Sequence, residues 1–356
     1  ARSAIRHDCI VPPRCAGIKP RLRLVEKMPG GEKRDMRYTR ADGYGKEKGK
    51  MRETDALLLE RLKRPEGKID VALDTDTYNE IDDQFALAYL LRSPEKMNVK
   101  AIYAAPFHNE KSDGPADGME KSFQEIHRIL GLMGREELTE RVFRGSRSYL
   151  AGETQPVLSP AAEHLAGLAM QYTPQKPLYV AALGAITNVA SAMLLQPEIR
   201  DRIVLVWLGG NAHWWPDNRE FNLMQDVAAA RVVFGSGAAL VQLPCMGVVS
   251  GFAVSGAELE RFLRGKNAVC DYLTELAVRE GEAGSPYRCW TRTIWDVTVI
   301  GWLANGGFMR DVLTAAPIPQ YDHHYSFNPE NHLIRYVYHI ERDRLFEDLF
   351  RKLSGC

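Results

Sequence analysis

From Lys68 onward, short apolar runs alternate with stretches whose apolar residues recur at helical spacing. The runs at 69–73, 99–104, 178–183, 203–208 and 240–243 predict strands, and 82–91, 119–132, 161–170, 187–195 and 226–234 between them predict helices. Two helical segments follow, at about 257–279 and 292–303. A period-two run at 334–340 comes next, then a closing amphipathic helix carrying Leu345, Phe346, Leu349 and Phe350. Strands that alternate with helices imply an α/β fold: an open, mostly parallel central sheet with helices on both faces. No internal repeat interrupts it, and one domain is expected over 66–356.

Residues 1–50 break the pattern. They are rich in Arg and Lys, interrupted by Pro12-Pro13 and Gly30-Gly31, and lack apolar periodicity, which predicts disorder. A basic arm for nucleic acid is the functional alternative, but its aromatic residues stop at Tyr38 and Tyr44. Another is that the native chain starts at Met51, because Lys46-Glu47-Lys48-Gly49-Lys50 suits a purine-rich coding stretch of the kind that precedes a start.

Composition narrows the function. Of 356 residues 45% are apolar, enough for a substantial core, and 46 Lys and Arg balance 46 Asp and Glu. No net field draws the chain to nucleic acid or an anionic membrane, which favours small-molecule chemistry. Six scattered cysteines form no C-x-x-C and have no His at zinc-ligand spacing, so free thiols in a reducing compartment are expected. With neither a membrane-length apolar run nor a leader-like start, the cytoplasm is the expected location.

The chemistry concentrates at Leu73-Asp74-Thr75-Asp76-Thr77-Tyr78-Asn79-Glu80-Ile81-Asp82-Asp83, where five acids stand between a strand and a helix. Helix N-terminal stabilisation accounts for two of them. Five carboxylates in one turn cannot all ionise unaided, so either some stay protonated or a hard divalent cation with oxygen ligands binds among them, and the sequence favours the cation. In open α/β sheets that strand end is also where ligands bind.

Together with later motifs, this stretch resembles the inosine-uridine-preferring nucleoside hydrolases, whose entry motif is D-x-D then D-D after the first strand. Leu183-Gly184-Ala185-Ile186-Thr187-Asn188 resembles the family's G-x-L-T-N turn, and Gly209-Gly210 its M-G-G. Glu220-Phe221-Asn222 with Asp226 and Ala228-Ala229-Ala230 resembles its E-F-N and D-P-E-A-A, and Trp295-Asp296 its last acidic ligand. The resemblance implies a Ca²⁺ held by Asp76, Asp83, the Leu183 carbonyl and Asp296. It implies Asp76 as the base that takes a proton from water, and Asp82, Asn109, Glu220 and Asn222 on the ribose hydroxyls. It also implies a nucleoside substrate and a homodimer or homotetramer. Trp295 stands where the purine-specific branch of the family has Trp, which leans the base preference to purines by stacking; Trp214, Trp215 and His213 are candidates for the other side of the stack.

Two departures set the chain apart. Five residues separate Asp76 from Asp82 where the family usually has three, which makes Asn79 and Glu80 candidate ligands. Trp214 replaces the family's Asn six places before the Glu, with Asn211 or Asn218 as substitutes. Among the remaining histidines, His108 has the most favourable position. Two rivals stand against hydrolysis of nucleosides. A Mg²⁺-dependent haloacid-dehalogenase-type phosphatase shares D-x-D, but Tyr78 replaces the Thr or Val that motif wants. A non-catalytic nucleoside- or sugar-binding protein on the same fold is the other.

Overall fold

The computed structural model describes residues 53–355; the expectations for residues 1–50 and for a start at Met51 lie outside them. Each strand-like run becomes a strand of one central sheet. The central sheet contains β1 (Ile69–Thr75), β2 (Met97–Ala104), β3 (Val142–Arg144), β4 (Leu178–Ala182), β5 (Ile203–Leu208) and β6 (Ala239–Leu243). Two antiparallel ribbons lie outside it: β7 (Ala253–Ser255) with β8 (Thr291–Thr293), and β10 (Ile318–Pro319) with β11 (Tyr325–Ser326). With β9 (Met309–Ala315) and β12 (Leu333–Ile340), the sheet order is β3-β2-β1-β4-β5-β6-β12-β9. Every pairing is parallel except that of β9 with β12.

Alternation along the strands explains why both faces are covered. Val71 and Leu73 of β1 and Val204 and Val206 of β5 enter one core, beneath α1 (Glu53–Arg61), α2 (Asp82–Leu91) and α3 (Pro115–Leu132). Ala72, Leu205 and Trp207 enter the other, beneath α4 (Pro160–Ala169) and α5 (Thr187–Leu195). Short α6 (Phe221–Gln225) leads into α7 (Val227–Gly235) on that second face. The first face is completed by α8 (Gly256–Phe262), α9 (Ala268–Ala283), α10 (Val297–Ala304) and α11 (Arg342–Ser354).

Three differences from the sequence expectations have local causes. α2 is buried along its whole length, because α3, α9, α10 and α11 surround it and its only charged side chains are in its first turn. The long helical stretch after 257 divides in two, since Asn267 accepts from the Cys270 N–H and caps a new helix. The body also begins before residue 66: Leu58 and Leu62 are in the core, and Arg61 donates to the Arg200 carbonyl at 3.0 Å. Among the described residues, no helix is long and apolar enough to cross a membrane.

Candidate active site

Strand order places the site. From β1 the chain steps outward through β2 and β3, then returns to β4 on the other flank of β1. The carboxyl ends of β1 and β4 therefore diverge into a crevice, the switch point where open α/β sheets bind ligands. Asp74 is on β1 and Asp76 just beyond it; Leu183 follows β4 and donates its N–H to the Asp74 carbonyl at 2.8 Å. Two helices aim their N-termini into the same crevice. α2 begins with Asp82 and Asp83, and α10, packed against α2, is preceded by Asp296. Acids separated by more than 200 positions thus meet: one oxygen each of Asp82, Asp83 and Asp296 lies within 4.8 Å of the other two.

Burial makes that meeting costly. Loss of solvent pushes the Asp76, Asp82 and Asp296 carboxyls well above the usual range, and the neighbouring carboxylates add to it. Asp83 is raised to about 6 by burial, restrained by the hydrogen bond it accepts from the Thr75 hydroxyl. Asp74 is raised to about 7 by burial, although Asn188 Nδ2 donates to its Oδ1 at 2.8 Å. Among the described residues, Oδ2 of Asp74 and Oδ2 of Asp76 are buried without any hydrogen-bond partner. Orphaned carboxylate oxygens in an oxygen-only donor set fit a hard divalent cation. The triad differs in one member from the expected ligand set. Asp82, assigned by resemblance to sugar hydroxyls, stands with Asp83 and Asp296, while Asp76 lies beside them and lines the same cavity.

That cavity, about 210 Å³, is lined by Asp76, Asp82, Asp83, Leu183, Glu220, Asn222, Trp295 and Asp296, all singled out in the sequence. Its other walls come from Asn79, Glu80, Leu208, Asn211, Arg219, Phe221, Cys245 and Met246. Glu220 caps α6, accepting from the N–H groups of Gly210 (2.7 Å), Asn222 (2.9 Å) and Leu223 (2.9 Å). Asn222 Nδ2 donates to the carbonyls of Leu183 (2.5 Å) and Leu208 (3.0 Å), which occupies one lone pair of the expected carbonyl ligand. Two glycines are required by close approach. A Cβ on Gly184 would stand 2.7 Å from Asp76 Oδ1, and one on Gly210, whose φ is +75°, would meet the Tyr325 hydroxyl at 2.0 Å.

The longer turn after Asp76 is held from both sides. Asn79 donates its N–H to the Asp76 carbonyl at 2.7 Å and accepts from Asn109 Nδ2 at 2.7 Å, whereas Glu80 is drawn to Arg292 at 3.0 Å. Asn109 is therefore not a wall of the cavity; it stands one hydrogen bond behind it. His108 is exposed and outside the lining. Trp214 is 69% exposed and Trp215 and His213 are also outside it, so Leu208, Phe221 and Met246 are apolar residues that join Trp295 at the cavity. The His323 carbonyl receives the Asn218 N–H at 2.7 Å, tying the β10–β11 turn to the loop before Glu220. Arg219, Cys245 and Met246 escaped sequence reasoning; the signal for the last two was their place just past the end of β6.

An open α/β sheet whose switch point holds converging buried carboxylates defines a small-ligand site whose oxygen donors fit a hard cation. The description "Inosine-uridine preferring nucleoside hydrolase" belongs to the family model that matches residues 71–320. The chain belongs to that family, one of hydrolases acting on N-glycosyl compounds. It is 28% identical over 232 residues to the pyrimidine-specific ribonucleoside hydrolase RihA of Enterobacter sp. (strain 638), covering 58% of this chain and 69% of that one. RihA of Klebsiella pneumoniae (strain 342) matches at 28% over 218 residues, 55% of this chain and 66% of that one. The chain thus spans about two thirds of the length of these relatives. The solved purine-preferring ribonucleoside hydrolase from Gardnerella vaginalis has the same fold, with a TM-score of 0.64 at 19% identity over 80% of this chain and 98% of that one. Family, fold class and enzyme class are those expected from the sequence, and the phosphatase alternative falls with them.

Proposed function

We propose that this chain hydrolyses the N-glycosidic bond of a ribonucleoside, releasing ribose and the free base, with Ca²⁺ as its cation. The observation that carries the proposal is the meeting of Asp82, Asp83 and Asp296 beside the unpartnered Oδ2 of Asp76 in one buried cavity. When bound, a hard divalent cation there acidifies water and anchors vicinal hydroxyls. Asp76 Oδ2, free of other partners, takes the proton of the attacking water. Asp82 holds a sugar hydroxyl, and so does Asn222 through Oδ1, since its Nδ2 is committed to two carbonyls. Glu220, fixed by three backbone N–H groups, offers its remaining lone pairs to another. The surrounding carboxylates favour the oxocarbenium-like ribosyl centre as the base leaves.

Trp295 supports a lean toward purines. It lines the cavity with its other side against the core, so a base stacked on it meets a rigid ring. The RihA relatives are named pyrimidine-specific and the Gardnerella neighbour purine-preferring, so the lean rests on this side chain. A cytoplasmic homodimer or homotetramer belongs to the same proposal, and light scattering of the purified protein reads its mass. The direct test is ribose release from inosine, adenosine, guanosine, uridine and cytidine, with and without chelator. Chelator-sensitive release, fastest on purines, is expected; no release from any of the five would leave a binding protein on the same fold.

A further inference from the structure

Among the described residues, six carboxylates line the cavity, Asp76, Glu80, Asp82, Asp83, Glu220 and Asp296, against a single basic residue, Arg219. Several arginines elsewhere in the body are held by acids, Arg64 and Arg335 by Asp311, Arg292 by Glu80 and Arg342 by Glu258. Arg219 is exposed, and among the described residues its guanidinium has neither an ion pair nor a hydrogen-bond acceptor. The nearest candidate in sequence, Glu220, is turned to the backbone N–H groups that it caps and forms no ion pair with Arg219.

The main chain around this unpaired group is fixed. Asn218, 1% exposed, donates its N–H to the His323 carbonyl at 2.7 Å and receives the Asn211 N–H on Oδ1 at 2.7 Å. The Arg219 N–H goes to Asp217 Oδ1 at 2.9 Å. A cationic fork is thus carried on a fixed main chain and left without a partner at the cavity rim, free to take an anion in bidentate fashion. Trp214, where the family has Asn, is turned to solvent and brings no polar group to the cavity.

We propose that Arg219 recognises a phosphoryl group on the sugar of the substrate, so that the site takes a ribonucleoside monophosphate in preference to the neutral nucleoside. This deepens the N-glycosidic hydrolysis proposed above and rests on it, because the sugar side is identified by Glu220 and Asn222, the neighbours of Arg219. The two charge requirements are met at opposite depths. The acids and their cation occupy the buried floor, whereas the anion sits at the rim, where water screens it from the floor carboxylates.

The test is calorimetric titration of the Ca²⁺-loaded protein with ribose and with ribose 5-phosphate, for the wild type, R219Q and R219K. In the wild type the phosphate is expected to bind about ten- to a hundredfold tighter than the sugar, as a charge-assisted bidentate contact supplies. That ratio should fall to about one in R219Q and to an intermediate value in R219K. A ratio near one in the wild type, or one that R219Q leaves unchanged, overturns the assignment. Base release from inosine and inosine 5′-monophosphate, followed in parallel, separates the two claims: release from neither removes N-glycosidic hydrolysis, while the calorimetric ratio still decides for or against Arg219.

Discussion

In the absence of divalent cations, Asp74→Asn should stabilise the protein, and the gain should grow as the pH rises from 5 to 7.5. Asp74 is wholly buried, and burial raises its carboxyl from 3.8 to about 7. Because the folded value lies above the unfolded one, the native chain holds an extra proton between those two pH values, and its stability falls as the pH rises through them. One pKa unit is about 1.4 kcal/mol, so a window of about three units is on the order of 4 kcal/mol, of which roughly 2–3 kcal/mol falls between pH 5 and 7. Partly buried His164, His213 and His332 have lowered values and act in the opposite sense below the ordinary His range, losing stability as the pH falls. The difference between wild type and variant removes their contribution. Asn at 74 can still accept from Asn188 Nδ2, so the neutral side chain keeps the bond and drops the charge. Urea unfolding in EGTA at pH 5, 6, 7 and 7.5 reads the difference, and saturating Ca²⁺ should shrink it because the cation compensates the buried charge. A wild-type-minus-variant difference that is flat across this range, or the same with and without Ca²⁺, refutes the reasoning.

Other substitutions probe the roles of single side chains. Asp76→Ala should abolish turnover while weakening ribose binding less than Asp82→Ala does; wild-type turnover would falsify the general-base role of Asp76. Trp295→Ala should slow purine substrates more than pyrimidine ones, and an equal loss on both in steady-state assays removes the stacking argument. In Gly184→Ala the new Cβ would lie 2.7 Å from Asp76 Oδ1 and displace it, so kcat should fall about a hundredfold. An unchanged kcat would mean that the exact seat of Asp76 is unimportant.

Much of this architecture was legible because its signals are local. Apolar runs such as 203–208 and helical spacing such as 187–195 need no tertiary information, and both became the elements expected. The acids at 74–83 announced themselves by density, and their strand-end position identified the crevice. What stayed hidden depends on partners far away in sequence. β9 exists because β12 pairs with it antiparallel along seven residues, and its own sequence, with Arg310 and Asp311, has no clean alternation. β3 is three residues long and forms only against β2. The burial of α2 on all sides is set by four other helices. Within the site, Asn109 looked like a contact because it follows β2, but the two extra residues after Asp76 place Asn79 between it and the cavity. Arg219 carries no motif of its own. Its place at the cavity appears only once the loop before α6 is folded against the ends of the strands.

The central claim is that Asp82 and Asp83 on α2 and Asp296 before α10 share one hard cation. Calorimetric titration of the chelator-stripped protein with Ca²⁺ tests it most directly, in the wild type and in Asp83→Asn and Asp296→Asn, with circular dichroism confirming that each variant is folded. One tight site per chain in the wild type, weakened at least tenfold in both variants, is the predicted result. Absence of binding in the wild type, or wild-type affinity in folded Asp296→Asn, would contradict it.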